Sequence, residues 1–250
     1  MKLSVILISW NSLHMLRRCL LSLHPVMAQP SIEIIWVDNG STDGTADFVH
    51  THYPSVRTIL LNENCGVARA RNHGIRNAKG EYILLLDDDT EASAEAINTL
   101  IAHLDSHPLT AIAGCALRSP QGELQDSFKP FPGLIRKIKN VIHSKLKLNQ
   151  KPTPLPDTII HPTYIIGACQ MIRRKTLNSI GLLDEKIFYG PEDADICLRA
   201  RHAGWSIDYL PSVSIIHHWR RITSRSLTSP ASRRHIRALL YFWRKHKRFL

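Results

Sequence analysis

Three aspartates, Asp87-Asp88-Asp89, stand directly after the apolar run Tyr82-Ile83-Leu84-Leu85-Leu86. Like charges held this close raise one another's pKa unless a cation neutralises them. The grouping therefore points to a divalent metal, because carboxylate oxygens suit Mg2+ or Mn2+, ions that also bind substrate phosphates. The plainer alternative is a solvated acidic turn at the start of the helix that begins near Ala92. A second acidic group, Glu192-Asp193-Ala194-Asp195, follows Pro191 and precedes the amphipathic stretch Ile196 to Arg201. Proline followed by acids is also how ordinary helices start, since the helix dipole favours negative charge there. At the mouth of a crevice, one such carboxylate could instead serve as general base for a hydroxyl. His217-His218 follows Val213-Ser214-Ile215-Ile216, and one imidazole could complete a metal site begun by the aspartates. Without that company, a histidine at a strand end is a structural residue.

The elements that must position these groups are visible as a repeat. Short aliphatic runs alternate with amphipathic stretches: Leu3–Ile8 then Leu13–Leu23, Ile32–Val37 then Thr45–His50, Val56–Leu61 then Val67–Ala78, and Tyr82–Leu86 then Ala92–Leu104. This βα pattern predicts a mostly parallel sheet with helices on both faces and ligands in the crevice at the strands' carboxyl ends. Polar clusters lie where the pattern places that crevice: Ser9-Trp10-Asn11, Asp38-Asn39-Gly40-Ser41-Thr42-Asp43-Gly44-Thr45, and the three aspartates. The second cluster also reads as a turn followed by a helix cap, with Asp43 or Thr45 as the capping residue.

From about Ser119 to Thr163 the rhythm fails in a segment rich in proline and lysine, which reads as a loop region or insertion. Inside it Leu134, Ile135, Ile138, Val141, Ile142 and Leu146 recur at near-helical spacing among lysines and arginines. Arg233 to Leu250 shows the same character, with Ile236, Leu239, Leu240, Trp243 and Phe242 as its apolar members. A basic amphipathic helix either packs on its own domain or lies on an anionic lipid surface.

A chain of 250 residues that is 44% hydrophobic supports one substantial core. The net charge of +11 is uneven, since no acid occurs between Asp126 and Asp157 or after Asp208. Basic segments of this kind fit nucleic acid, anionic lipid or an acidic substrate, and no nucleic-acid recognition motif is present. The five cysteines are scattered and include no CxxC pair, which suggests neither a disulfide framework nor a zinc site and fits a reducing cytosol. Leu3–Ile8 is too short for a signal-peptide core or a membrane span. A nucleotidyltransferase would carry a Gly-rich basic loop after the first strand, which Ser9-Trp10-Asn11-Ser12 is not. A non-catalytic homologue would have lost the acids.

The ordered set Leu3 to Asn11, Asp38 to Thr45, Asn64-Cys65-Gly66 through Ala70-Arg71-Asn72, and Asp87-Asp88-Asp89 resembles the family 2 glycosyltransferases. It continues with Gly167-Ala168-Cys169, Gly181-Leu182-Leu183-Asp184-Glu185, Glu192 to Asp195 and His217, similar to the rhamnosyltransferase-like branch of surface-polysaccharide enzymes. The resemblance implies an α/β GT-A fold with a catalytic domain over 1–226, divided into a nucleotide-sugar half (1–118), a variable basic insertion (119–163) and an acceptor half (164–226). A basic amphipathic helix would follow over 227–250. It further implies an inverting, metal-dependent sugar transfer from a UDP- or dTDP-linked donor to a saccharide or lipid-linked saccharide. The enzyme would be cytoplasmic, lying against the anionic inner face of the membrane. Ser9, Trp10, Asn11 and Asp38 would meet the nucleotide, with Arg71 nearby and Asp87 and Asp88 lining the ribose-diphosphate region. Asp89 would be the principal metal ligand, with Asp87 and His217, the latter matching better than His218. Asp193 would be the catalytic base and Glu192 its neighbour or substitute. Trp10 stands where tyrosine is usual and Ser9 where asparagine or proline is usual, so the donor base is left open.

Overall fold

A computed structural model describes residues 1–134, 154–218 and 230–247. The four βα units appear as β1 (Leu3–Ser9), α1 (Leu13–Met27), β2 (Ile32–Asp38), α2 (Thr45–His52), β3 (Arg57–Leu60), α3 (Val67–Asn77), β4 (Tyr82–Asp87) and α4 (Ala94–Ser106), with a two-residue strand β5 (Thr90–Glu91) before α4. Alternation along the strands divides the core in two. Leu3, Val5 and Leu7 of β1 and Tyr82, Leu84 and Leu86 of β4 face the layer built on Leu16, Cys19, Leu20 and Leu23 of α1 and Ile97, Leu100 and Leu104 of α4. Ile6, Ile83 and Leu85 point the other way, toward Ala68 and Ile75 of α3. Helical spacing meets strand spacing on both faces, and each large apolar side chain so buried contributes about 1.5–3 kcal/mol. The Ser93 hydroxyl caps α4 by accepting from the Ala96 amide over 3.1 Å.

The second half departs from the all-parallel rhythm. After β6 (Thr110–Arg118) come β7 (Leu124–Gln125), β8 (Phe128–Lys129), β9 (Tyr164–Ile165), β10 (Cys169–Arg173), α5 (Arg174–Ile180), α6 (Glu192–His202) and β11 (Ser206–His217). Among the described residues the main sheet runs β3-β2-β1-β4-β10-β6-β11-β5, with β7 attached to β6. β10 is antiparallel to both β4 and β6. Because it runs backwards, its first residues lie beside the last residues of β4, with Cys169 opposite Leu86. β11 runs parallel to β6 and ends antiparallel to β5, with His217 opposite Thr90.

The segment expected as an insertion is therefore structured at its edges. β7 joins the main sheet, and β8 pairs with β9 in a separate two-stranded sheet. Of the basic amphipathic helix expected there, Ile135 to Lys147 lie outside the described residues. The C-terminal helix is α7 (Pro230–Lys245). Ala238, Leu239, Phe242 and Trp243 are buried, the last three within the second core layer. The Trp243 indole donates to the Pro132 carbonyl over 2.9 Å. Beyond the helix end, His246 meets Asp195 of α6 at 2.8 Å, and Lys245 reaches Asp184 and Asp195 at 2.7 Å each. Among the described residues, no helix is long and apolar enough to cross a membrane.

Candidate active site

The register that pairs Ser9 with Asp38 and Ile8 with Asp87 brings the ends of β1, β2 and β4 level at one edge of the sheet. The β1 and β2 loops are tied together there. Asn11, held at a φ of 48°, donates its amide to the Ser41 hydroxyl over 2.9 Å and accepts from the Thr42 amide at 2.8 Å. A left-handed backbone is tolerated by asparagine better than by most residues. Asp43 accepts from the Leu13 amide at 3.0 Å and the Thr45 amide at 3.2 Å, so one carboxylate serves the starts of α1 and α2 together. Gly40 is required in this loop: its φ is +81°, and a Cβ there would come within 2.7 Å of the Glu63 backbone. Asp38 is buried and accepts from the Ser41 amide at 3.1 Å. Trp10 projects from this rim with 53% of its surface exposed.

Ser9, expected to meet the nucleotide, and Arg71, expected near it, have side chains that bond within the protein. The Ser9 hydroxyl accepts from the Trp36 indole at 2.9 Å, and its carbonyl accepts from the Asn39 amide at 2.9 Å. Arg71, on α3, is only 1% exposed. Its guanidinium donates to the Asp87 carboxylate and, over 2.8 Å, to the Gly167 carbonyl, and stands 3.6 Å from Glu192. An arginine so enclosed holds Asp87 from within the protein. Burial is a tertiary property that spacing does not report.

Asp87, Asp89 and His217 converge, with one potential ligand atom from each lying within 4.8 Å of the others. The His217 Nε2 is 3.6 Å from Asp89. Its Nδ1 lies 2.8 Å from the side-chain oxygen of Gln125, whose amide nitrogen donates to the His217 carbonyl at 2.9 Å. His218 is directed elsewhere: its amide donates to the Asp89 carbonyl at 2.8 Å and its ring meets Glu91 at 2.6 Å. Asp88 is half-buried and does not belong to the converging set. Burial pushes the Asp87 carboxyl above its ordinary range, Arg71 opposes this, and the Asp89 charge adds to it. Two carboxylates and one imidazole, with the carboxylate charges only partly balanced by Arg71, fit a divalent cation such as Mg2+ or Mn2+.

The acids at the start of α6 have separate surroundings. Asp193 accepts from the Gly167 amide at 3.1 Å and the Ala194 amide at 2.7 Å. It lines a cavity of about 210 Å³ together with Gln125, Tyr164, Gly190 and His217. Glu192 is buried behind it, accepting from the Gly190 amide at 2.8 Å. Burial and the Asp193 charge push its pKa up to about 8 against the pull of Arg71. Gln125 and Tyr164 were absent from the sequence expectation because they fall in or beside the segment without rhythm, where no local signal marks them. Gly167 was quoted only as part of a motif, and its role is close approach: a Cβ would meet Arg71 at 2.9 Å and the Asp193 Cβ at 3.4 Å.

A family model described as "Glycosyl transferase family 2" matches residues 4–181. The chain is 26% identical over 261 residues to the N-acetylglucosaminyl-diphospho-decaprenol L-rhamnosyltransferase of Mycobacterium tuberculosis (strain ATCC 25618 / H37Rv), covering 98% of this chain and 85% of that protein. It is 27% identical over 191 residues to the dTDP-rhamnosyl transferase RfbF of Shigella flexneri, covering 74% and 59% respectively. Among solved structures, the mannosyltransferase PcManGT from Pyrobaculum calidifontis in complex with GDP-Man and Mn2+ superimposes with a TM-score of 0.66 at 18% identity, over 98% of this chain and 64% of that one. S. aureus TarS 1-349 in complex with UDP-GlcNAc gives 0.62 at 20% identity, over 92% and 62%. At these identities the structural likeness speaks for the fold. The chain thus spans most of the mycobacterial relative and about three fifths of the other three.

Proposed function

The chain belongs to glycosyl transferase family 2, and from that premise we propose that it moves a sugar, with inversion, from a nucleoside-diphosphate donor to a hydroxyl of a saccharide acceptor in surface-polysaccharide synthesis. The observation that carries this reading is the convergence of Asp87, Asp89 and His217 beside a cavity lined by Asp193.

Asp193 is the base. Two backbone N–H groups orient its carboxylate toward the cavity, as a proton acceptor for a bound hydroxyl must be oriented. As the acceptor oxygen bonds to the anomeric carbon, its proton passes to Asp193. The bond from that carbon to the donor's diphosphate breaks, and its electron pair leaves with the nucleoside diphosphate. One displacement inverts the centre, and no glycosyl-enzyme forms. Asp87, Asp89 and His217 would hold a divalent cation, Mg2+ or Mn2+, which when bound offsets the negative charge that builds on the leaving diphosphate. Arg71 fixes Asp87 from behind, and Glu192 backs Arg71. Trp10, Asn11 and Asp38 form the rim assigned to the nucleotide, where the exposed indole offers a face for stacking. Asp88 is assigned to the ribose-diphosphate region.

The donor assigned is UDP- or dTDP-linked, and the acceptor a saccharide carried on a lipid, as the name of the mycobacterial relative describes for that enzyme. A lipid-borne acceptor suits an enzyme held at the cytoplasmic face of an anionic membrane. Helix α7 supports this, because its outward stripe combines exposed Ile236 and Leu240 with Arg233, Arg237 and Arg244 and contains no acid.

The test is thermal stability against UDP-, dTDP-, GDP- and CMP-linked ligands, with and without Mn2+ or Mg2+, since a ligand that binds only the folded state raises the melting temperature. The expected result is a metal-dependent rise with a uridine or thymidine diphosphate-sugar. No rise with any member of the panel would defeat the donor assignment.

A further inference from the structure

The role given to His217 needs a lone pair at Nε2, and a neutral imidazole offers one there only when its proton sits on Nδ1. The structure contains a device that selects that state. The Gln125 side-chain nitrogen lies 2.9 Å from the His217 carbonyl, and its oxygen lies 2.8 Å from His217 Nδ1. The first contact fixes the reading of the second. A carbonyl can only accept, so the amide must present its NH2 group to the backbone. Its oxygen then faces Nδ1, and because that oxygen also only accepts, Nδ1 must carry the proton. On the far side of the ring, Nε2 stands 3.6 Å from Asp89, beyond hydrogen-bond range.

The strands make this pairing reproducible. β7 and β11 both pair with the end of β6, with Gln125 opposite Leu117 and Ile216 opposite Arg118. His217 is almost fully buried, so little water competes for Nδ1. We propose that Gln125 is a positioning residue that locks His217 in the Nδ1–H tautomer and thereby presents Nε2 toward Asp87 and Asp89. The proposal rests on the metal-holding role given to His217 above. Without Gln125 nothing holds the proton on Nδ1, and a proton that moves to Nε2 removes the lone pair there. Outer partners of this kind typically change metal affinity by about 10–100-fold.

The tautomer can be read without any metal, by long-range 1H–15N correlation spectra of the full chain with labelled histidines, the His217 signals being assigned by their loss in His217→Ala. The wild-type spectrum is expected to show the proton on Nδ1. In Gln125→Met, similar in length but without the acceptor, the proton should move to Nε2. In Gln125→Glu, which keeps an acceptor oxygen, a proton should remain on Nδ1. A wild-type proton on Nε2 overturns the proposal, as does an unchanged Nδ1–H in a folded Gln125→Met. If the methionine variant does not fold, Gln125→Glu decides, and loss of the Nδ1 proton there overturns it. In parallel, Mn2+ titrated with UDP and followed by electron paramagnetic resonance should bind Gln125→Met about 10–100-fold more weakly than wild type. Unchanged Mn2+ affinity in His217→Ala would remove the metal-holding role itself, a failure that the tautomer spectra do not share.

Discussion

Asp193 and Glu192 are neighbours in the chain with opposite surroundings, and that contrast separates their roles. Asp193→Asn keeps size and loses the proton acceptor, so turnover should fall by about 10²–10⁴ while the donor-induced rise in melting temperature persists. Normal turnover in that variant would take Asp193 out of the mechanism. For Glu192 the pH dependence follows from its raised pKa of about 8. A carboxyl whose folded value lies above its unfolded value favours folding while protonated. That contribution is complete below about pH 4.5 and is lost as the pH rises through about 8. The melting temperature should therefore show less decline between pH 5 and 9 in Glu192→Gln than in wild type, and parallel profiles would contradict the burial argument. At this scale the sequence was legible for acids, whose clustering is costly without a cause. The burial of Ser9 and Arg71 was not legible, because these residue types are equally at home on a surface or within a core.

Helix α7 was readable as an element, although its two faces were not. Leu239, Phe242 and Trp243 belong to the core, which leaves Ile236 and Leu240, 46% and 54% exposed, as the apolar part of the outer stripe. Periodicity finds an amphipathic helix but cannot say which solvent its apolar side meets. Trp243→Ala should cost about 3–5 kcal/mol in stability, measured by denaturant unfolding, because it empties a packed site and orphans the Pro132 carbonyl. The same helix end is pinned by charge. Burial would raise the Asp195 carboxyl, but the His246 hydrogen bond and the charges of Arg199 and Lys245 outweigh it and bring the pKa down to about 2. This contribution is present above the unfolded carboxylate value near 4 and fades as the pH falls toward about 2. Asp195→Asn should remove that acid-side slope. On the outer stripe, reversing Arg233, Arg237 and Arg244 to glutamate should abolish flotation with anionic vesicles while leaving the melting temperature close to wild type. Flotation that survives the reversal would free α7 from any role at lipid.

Across the whole molecule, the first four βα units were legible because each is written in local periodicity. The return of β10 and β11 was not, since their partners lie far away in sequence: Cys169 opposite Leu86, and His217 opposite Thr90. Those pairings bring residues from the two halves into one site, and Gly167 sits at the junction. Gly167→Ala should leave the fold intact yet lower turnover, because the added methyl displaces Arg71 from Asp87 and crowds Asp193 together. Wild-type kinetics in that variant would show that the site yields more easily than its packing suggests. The enclosed guanidinium of Arg71 also bears on how relatives of this chain can exchange parts. It clasps Asp87 from the N-terminal half, and Gly167 and Glu192 from the C-terminal half. A hybrid that takes one half from a relative inherits a working catalyst only if both sides of that clasp still match. The clasp must therefore be inherited as a unit.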